Sequence, residues 1–178
     1  MLKKSALVLL VFTVLVTAGC AGRDVGPRPA GPSRLQPENF FDGRVTGWGF
    51  SETRFGGVDR WFQVDFRGRT EGDTSIWHET LRFSDGEVEE RTWRVVSVGE
   101  RRYDVDATGM VGTGSGLSHG NAVQWNYYLK RSYGCCEWTF WVDDWMYKTD
   151  DNTLIVRANF SWFGMTVGQG YMFLRKVE

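Results

Sequence analysis

Ser84-Asp85-Gly86 has the composition of a three-residue hairpin loop, with Gly at the position that needs a left-handed backbone. Placing that loop between two strands fixes their register. Phe83 then faces Glu87, Leu81 faces Glu89, Glu79 faces Arg91 and Trp77 faces Trp93. Side chains alternate along a strand, so Trp77, Glu79, Leu81 and Phe83 share one face. That face is the apolar one, and Glu79 therefore points inward. A buried carboxylate without a partner is costly, and Arg91 directly opposite resolves the cost. Two readings of the pair stay open. It is an ion pair that fixes register, or it is a clamp in which Arg91 meets a ligand carboxylate while Glu79 orients the guanidinium.

Asp143-Asp144-Trp145-Met146-Tyr147 is the second polar constellation, with Asp150 and Asp151 close behind. It is placed at a strand end. Consecutive acids there cap a turn more readily than they hold a hard cation, whose oxygen ligands must converge from suitable spacings. No metal site and no cofactor are expected. Cys135 and Cys136 are adjacent; they can form a vicinal disulfide, pair between molecules or remain free, and no redox role is assigned to them.

Catalytic patterns are scarce. The two histidines are His78, which the hairpin register puts outside, and His119, in a Gly-rich loop with Ser115 and Ser118. No nucleophile-elbow motif is present. Gly112-Thr113-Gly114-Ser115-Gly116 lacks the Lys and the helix of a phosphate loop. No catalytic residue is assigned.

These residues need strands to position them. From Glu38 onward there is no proline and no helical period, and Gly, Asn and Asp fall at turn intervals. Strands are expected near Arg44–Arg54, Val58–Gly68, Thr74–Phe83, Glu87–Val98, Tyr103–Val111, Asn121–Arg131, Glu137–Val142, Thr153–Ser161 and Met165–Val177. Gly112–Gly120 reads as a long flexible loop, suited to a lid. The expected fold is an all-β, single antiparallel, lipocalin-like up-and-down barrel of about eight to ten strands, with a two-sheet sandwich as the alternative. All nine Trp, all six Tyr and eleven of twelve Phe lie beyond residue 38. They serve either as an ordinary sheet core or as the lining of an internal surface.

The start of the chain has the form of an export signal over residues 1–19. Lys3 and Lys4 precede an apolar run, Ala6 to Val16, and Thr17-Ala18-Gly19-Cys20 resembles a lipobox. Lipidation at Cys20 is expected, with the membrane as partner. Ala21, not Asp, follows the Cys, which favours an outer-membrane anchor facing the periplasm. Residues 20–37 hold all four prolines and read as a tether, with residues 38–178 as the barrel domain. Without the signal the chain carries 19 basic and 22 acidic side chains, so nucleic acid is not an expected partner. Protein partners and oligomeric state are not indicated by the sequence.

Gly47-Trp48, Asp85-Gly86 with Arg91 and Trp93, Gly120-Asn121-Ala122 with Trp125 and Tyr127, and Asp143-Asp144-Trp145-Met146-Tyr147 occur in that order. In this the chain resembles the bacterial lipoproteins grouped as domain of unknown function 3833, over Phe40 to Val177. It departs from that pattern at Gly109 and Trp162. The resemblance implies a lipocalin-like barrel and a connection with envelope lipid, and it supplies no activity.

Three functions follow as expectations. The first is a binding module for a fatty acyl or other apolar small molecule, with candidate ligand contacts Trp77, Glu79, Arg91, Trp93, Asn121, Trp125, Tyr127, Asp143, Asp144 and Trp145. The second is an enzyme acting on such a molecule through Glu79. The third is a structural or interaction lipoprotein with a filled barrel.

Overall fold

A computed structural model describes residues 33–133 and 135–177. A one-turn helix, α1 (Pro37–Phe40), precedes ten strands: β1 (Gly43–Thr53), β2 (Val58–Glu71), β3 (Thr74–Phe83), β4 (Val88–Gly99), β5 (Arg102–Ala107), β6 (Gly114–His119), β7 (Ala122–Tyr133), β8 (Cys136–Asp150), β9 (Thr153–Trp162) and β10 (Met165–Val177). Each strand pairs antiparallel with the next, and β1 pairs with β10, so the sheet closes into a barrel. Closure leaves no unpaired edge in a sheet this aromatic.

Period-two burial shows why these segments are strands. In β3, Ser75, Trp77, Glu79 and Leu81 are buried while His78 and Arg82 are exposed. In β9, Leu154, Val156 and Ala158 are buried. The register expected for the β3–β4 hairpin is observed: Trp77 faces Trp93, Glu79 faces Arg91 and Leu81 faces Glu89. The fold is the expected all-β up-and-down barrel.

Several local expectations are corrected. Gly112–Gly120 is not a lid. Its residues Gly114 to His119 form β6, paired on both sides, so the barrel has ten strands and not nine. The pairing depends on side chains that are missing. A Cβ on Gly116 would lie 2.4 Å from Trp125 Cζ3, and one on Gly114 would lie 2.7 Å from Tyr127 Cβ. Here glycine lets the wall approach large rings that belong to another strand. β5 stops at Ala107, short of Val111, and β8 runs on to Asp150, well past Val142. Asp143 and Asp144 are therefore in mid-strand, where alternation sends them to opposite faces.

The packed domain also begins before Glu38. Leu35 is 1% exposed, and its backbone N–H donates to the Gly120 carbonyl at 2.9 Å. Pro37, Phe40 and Phe41 are buried as well. The Phe41 ring stacks on Trp77 with centroids 4.4 Å apart and meets Phe66 edge-on at 5.0 Å. This segment plugs one end of the barrel. The signal, Cys20 and the tether up to Pro32 lie outside the described residues.

Candidate functional site

The middle of the barrel holds a cavity. It offers about 50 Å³ to the centre of a water-sized sphere, inside about 620 Å³ of non-atom space that runs on into solvent. One water needs roughly 10–15 Å³ by the first measure. By itself the cavity is therefore sized for a few waters, and it is continuous with solvent. Its wall is mostly apolar, with Phe66, Leu129, Val156, Phe160, Met172 and Leu174 among its members.

Polar groups enter this wall from four strands. Glu79 of β3 is 1% exposed. Its Oε2 accepts a hydrogen bond from Trp93 Nε1 at 2.9 Å and lies 3.5 Å from Arg91 Nη1. Arg91 of β4 does not face Glu79 alone. Its Nη2 is 2.5 Å from Glu89 Oε2, and Glu89 also receives Arg131 of β7. Glu79, Arg91, Glu89 and Arg131 thus alternate in sign along the interior, each charge set against its opposite.

Asp144 of β8 stands apart from that ladder. Its backbone neighbours are Trp125 on β7 and Ala158 on β9. Burial, followed by the nearby carboxylates of Glu79 and Asp143, pushes the Asp144 carboxyl up to about 8. The neighbouring Tyr127 hydroxyl partly offsets that rise. Burial also holds the Tyr127 phenol well above its ordinary range, with Asp144 adding to the effect and Arg91 opposing it. Three buried polar atoms of the lining residues have no partner among the described residues: Trp77 Nε1, Trp125 Nε1 and Asp144 Oδ1. The rings themselves are well packed. Trp77 meets Trp125 edge-on at 6.3 Å, and Trp93 meets Tyr127 edge-on at 5.7 Å.

Of the candidate contacts, Trp77, Glu79, Arg91, Trp93, Trp125, Tyr127 and Asp144 line this cavity. Asn121, Asp143 and Trp145 do not. Asn121 sits at the β6–β7 turn, where its Nδ2 donates to the Lys148 carbonyl at 3.2 Å. Asp143 points outward and accepts from Gln124 Nε2 at 2.6 Å. Trp145 stacks on Tyr147 at 5.7 Å and lies against His119 at 5.4 Å. His78 is outside, as expected, beside Thr92 Oγ1 at 3.1 Å. His119 ends β6 and does not belong to a loop. Cys135 and Cys136 are exposed free thiols with sulfurs 2.8 Å apart.

Sequence reasoning missed Glu89 and Arg131 as interior charges. A signal for both was present: Glu89 shares strand parity with Arg91 and Trp93, and Arg131 shares it with Trp125, Tyr127 and Leu129. Met146, Ala158 and Met172 also line the cavity, and nothing in their local sequence marks them. Among the described residues, no three His, Cys, Asp or Glu side chains converge as a metal site would require.

No curated protein matches the chain. A family model for proteins of unknown function, DUF3833, matches residues 14–176, nearly the whole sequence and all but the last residue of the barrel. The chain belongs to the DUF3833 family.

Proposed function

We propose that this chain is a lipid-anchored envelope protein whose barrel holds one slim, largely apolar small molecule, such as an acyl compound, in its interior. The observation that carries the reading is the cavity itself: an apolar wall interrupted by a small set of buried polar groups, as ligand sites are built. The surplus of unpartnered polar atoms supports it. Of the seven buried polar atoms without partners among the described residues, three line this cavity: two indole N–H groups and a carboxyl oxygen. The anchor rests on the lipobox-like Thr17-Ala18-Gly19-Cys20, with Ala21 favouring the outer membrane and a domain facing the periplasm.

Native mass spectrometry of the full chain purified from its own envelope tests the ligand. A co-purified species with the mass of an acyl compound is expected. Protein without any bound mass, and no saturable Trp quenching by added acyl compounds, would refute the binding reading. The anchor has a separate test. Cys20→Ser should abolish labelled-palmitate incorporation and move the protein out of the membrane pellet; continued labelling would show the lipobox reading to be wrong.

One observation favours a second reading, an enzyme acting on such a ligand. The buried acid with the raised value is Asp144, which also carries an unpartnered oxygen and has Tyr127 at its side. Glu79 is already engaged by Trp93 and Arg91. Chemical change of the co-purified compound during incubation with wild-type protein, and none with Asp144→Asn, would select this reading.

A further inference from the structure

The polar end of a buried ligand must complement what the wall leaves unsatisfied. The charges of this interior are already matched. Arg91 faces both Glu79 and Glu89, and Arg131 faces Glu89, so two guanidinium groups stand against two carboxylates. Arg91 is the one cation among the lining residues, and it is already shared between two carboxylates. A ligand carboxylate would be a third acid beside Glu79 and Asp144, buried with no cation of its own. The clamp expected from the sequence, with Arg91 meeting a ligand carboxylate, has its cation already taken.

What remains is donor capacity. An indole N–H can only donate, and Trp77 Nε1 and Trp125 Nε1 are both buried without an acceptor. Asp144 Oδ1 is the third partnerless atom. Glu79 on β3, Tyr127 on β7 and Asp143 on β8 are the titratable groups that act on that carboxyl, and Arg91 on β4 acts on Tyr127 beside it. β9 sets apolar Ala158 opposite it, and Met172 of β10 lines the same cavity. In these surroundings the carboxyl keeps its proton at neutral pH and adds a third donor.

We infer that the molecule held in this barrel presents an uncharged oxygen acceptor, such as an ester or ketone carbonyl, to Trp77, Trp125 and Asp144. This rests on the ligand-binding reading above and narrows it. A carbonyl oxygen has two lone pairs and takes two of these donors without bringing a charge into the cavity. An ammonium group would suit Asp144 but would leave both indole N–H groups facing a cation. A free carboxylate would suit the indoles but would meet Glu79 uncompensated.

The test is competition. The full chain in detergent micelles is given equal amounts of methyl decanoate, decanoic acid and decylamine at neutral pH, and native mass spectrometry reads which is retained. The ester should exceed the acid by at least about tenfold, a difference of about 1.4 kcal/mol. Trp125→Phe keeps the ring and removes one donor, and it should lower ester retention several-fold. Asp144→Asn still offers an N–H and should keep the ester preference. Asp144→Leu should lose it, with near-ultraviolet circular dichroism reporting that the barrel remains packed. Retention of the acid or the amine equal to or above the ester overturns this inference and leaves ligand binding intact. Retention of none of the three overturns both.

Discussion

Asp144 concentrates the unusual electrostatics of this protein in one side chain. It is 5% exposed, and burial is the main reason its carboxyl titrates near 8 in place of the ordinary 3.8. The folded value is the higher one, so the folded chain keeps a proton that the unfolded chain releases between the two values. The contribution of this group is fully present below about 3.8 and is lost as pH rises through about 8. Asn carries no titrating proton. The stability of Asp144→Asn relative to wild type should therefore climb with pH, by at most about 1.4 kcal/mol per unit within that window. Urea denaturation at several pH values from acid to neutral measures the difference. A pH-independent difference would mean that Asp144 is charged in the folded barrel. The sequence named this residue only together with Asp143. Asp143 and Asp144 looked equivalent because β8 was expected to stop at Val142, and only the continuous strand assigns one acid to each face.

At the scale of elements, the β3–β4 hairpin was legible and β6 was not, for definite physical reasons. A hairpin with Asp85-Gly86 at its turn has its register set locally, and a period of two then places every side chain. Gly114, Ser115, Gly116 and Ser118 carry no such signal. Small residues in β6 are explained by Trp125 and Tyr127 on β7, a long-range fit invisible in a short window. The same hairpin holds a testable asymmetry. Replacing Arg91 with Met strips the guanidinium from two carboxylates at once. Replacing Glu79 with Leu leaves Arg91 still bonded to Glu89. Loss of one partner from a fully buried pair costs roughly 3–5 kcal/mol. Arg91→Met should fall in that range and Glu79→Leu below it. The double variant should cost less than the sum, because the uncompensated Glu79 carboxylate has gone. Chemical denaturation of the three variants decides. Strict additivity would show that Glu79 and Arg91 do not interact across the 3.5 Å separating them.

On the scale of the whole molecule, the plugged end of the barrel alters where the domain begins. Composition put the boundary at Glu38, since residues 20–37 contain every proline and little that is apolar. Leu35 is one of two large apolar residues in that stretch, with Val25, and standing alone among Pro, Gln and Arg it gives no periodic signal to read. Its role is tertiary: it closes the barrel end beside the β6–β7 turn, where its N–H reaches Gly120. Arg34 adds a hydrogen bond to the Glu100 carbonyl at the neighbouring turn, and Lys176 Nζ donates to the Asn39 carbonyl at 2.6 Å from the last strand. The segment is therefore tied to the rim at several points around its circumference. A chain beginning at Glu38 loses the Leu35 contact, worth about 1.5–3 kcal/mol for a buried leucine, together with a backbone hydrogen bond worth about 1 kcal/mol. A chain beginning at Ser33 keeps both. The shorter chain should unfold at lower urea concentration, by about 3 kcal/mol in stability, and Trp77 beneath the plug should report it as altered fluorescence before unfolding begins. Equal midpoints for the two chains would mean that Leu35 rests on the barrel without contributing to it, and that the domain starts where composition first suggested.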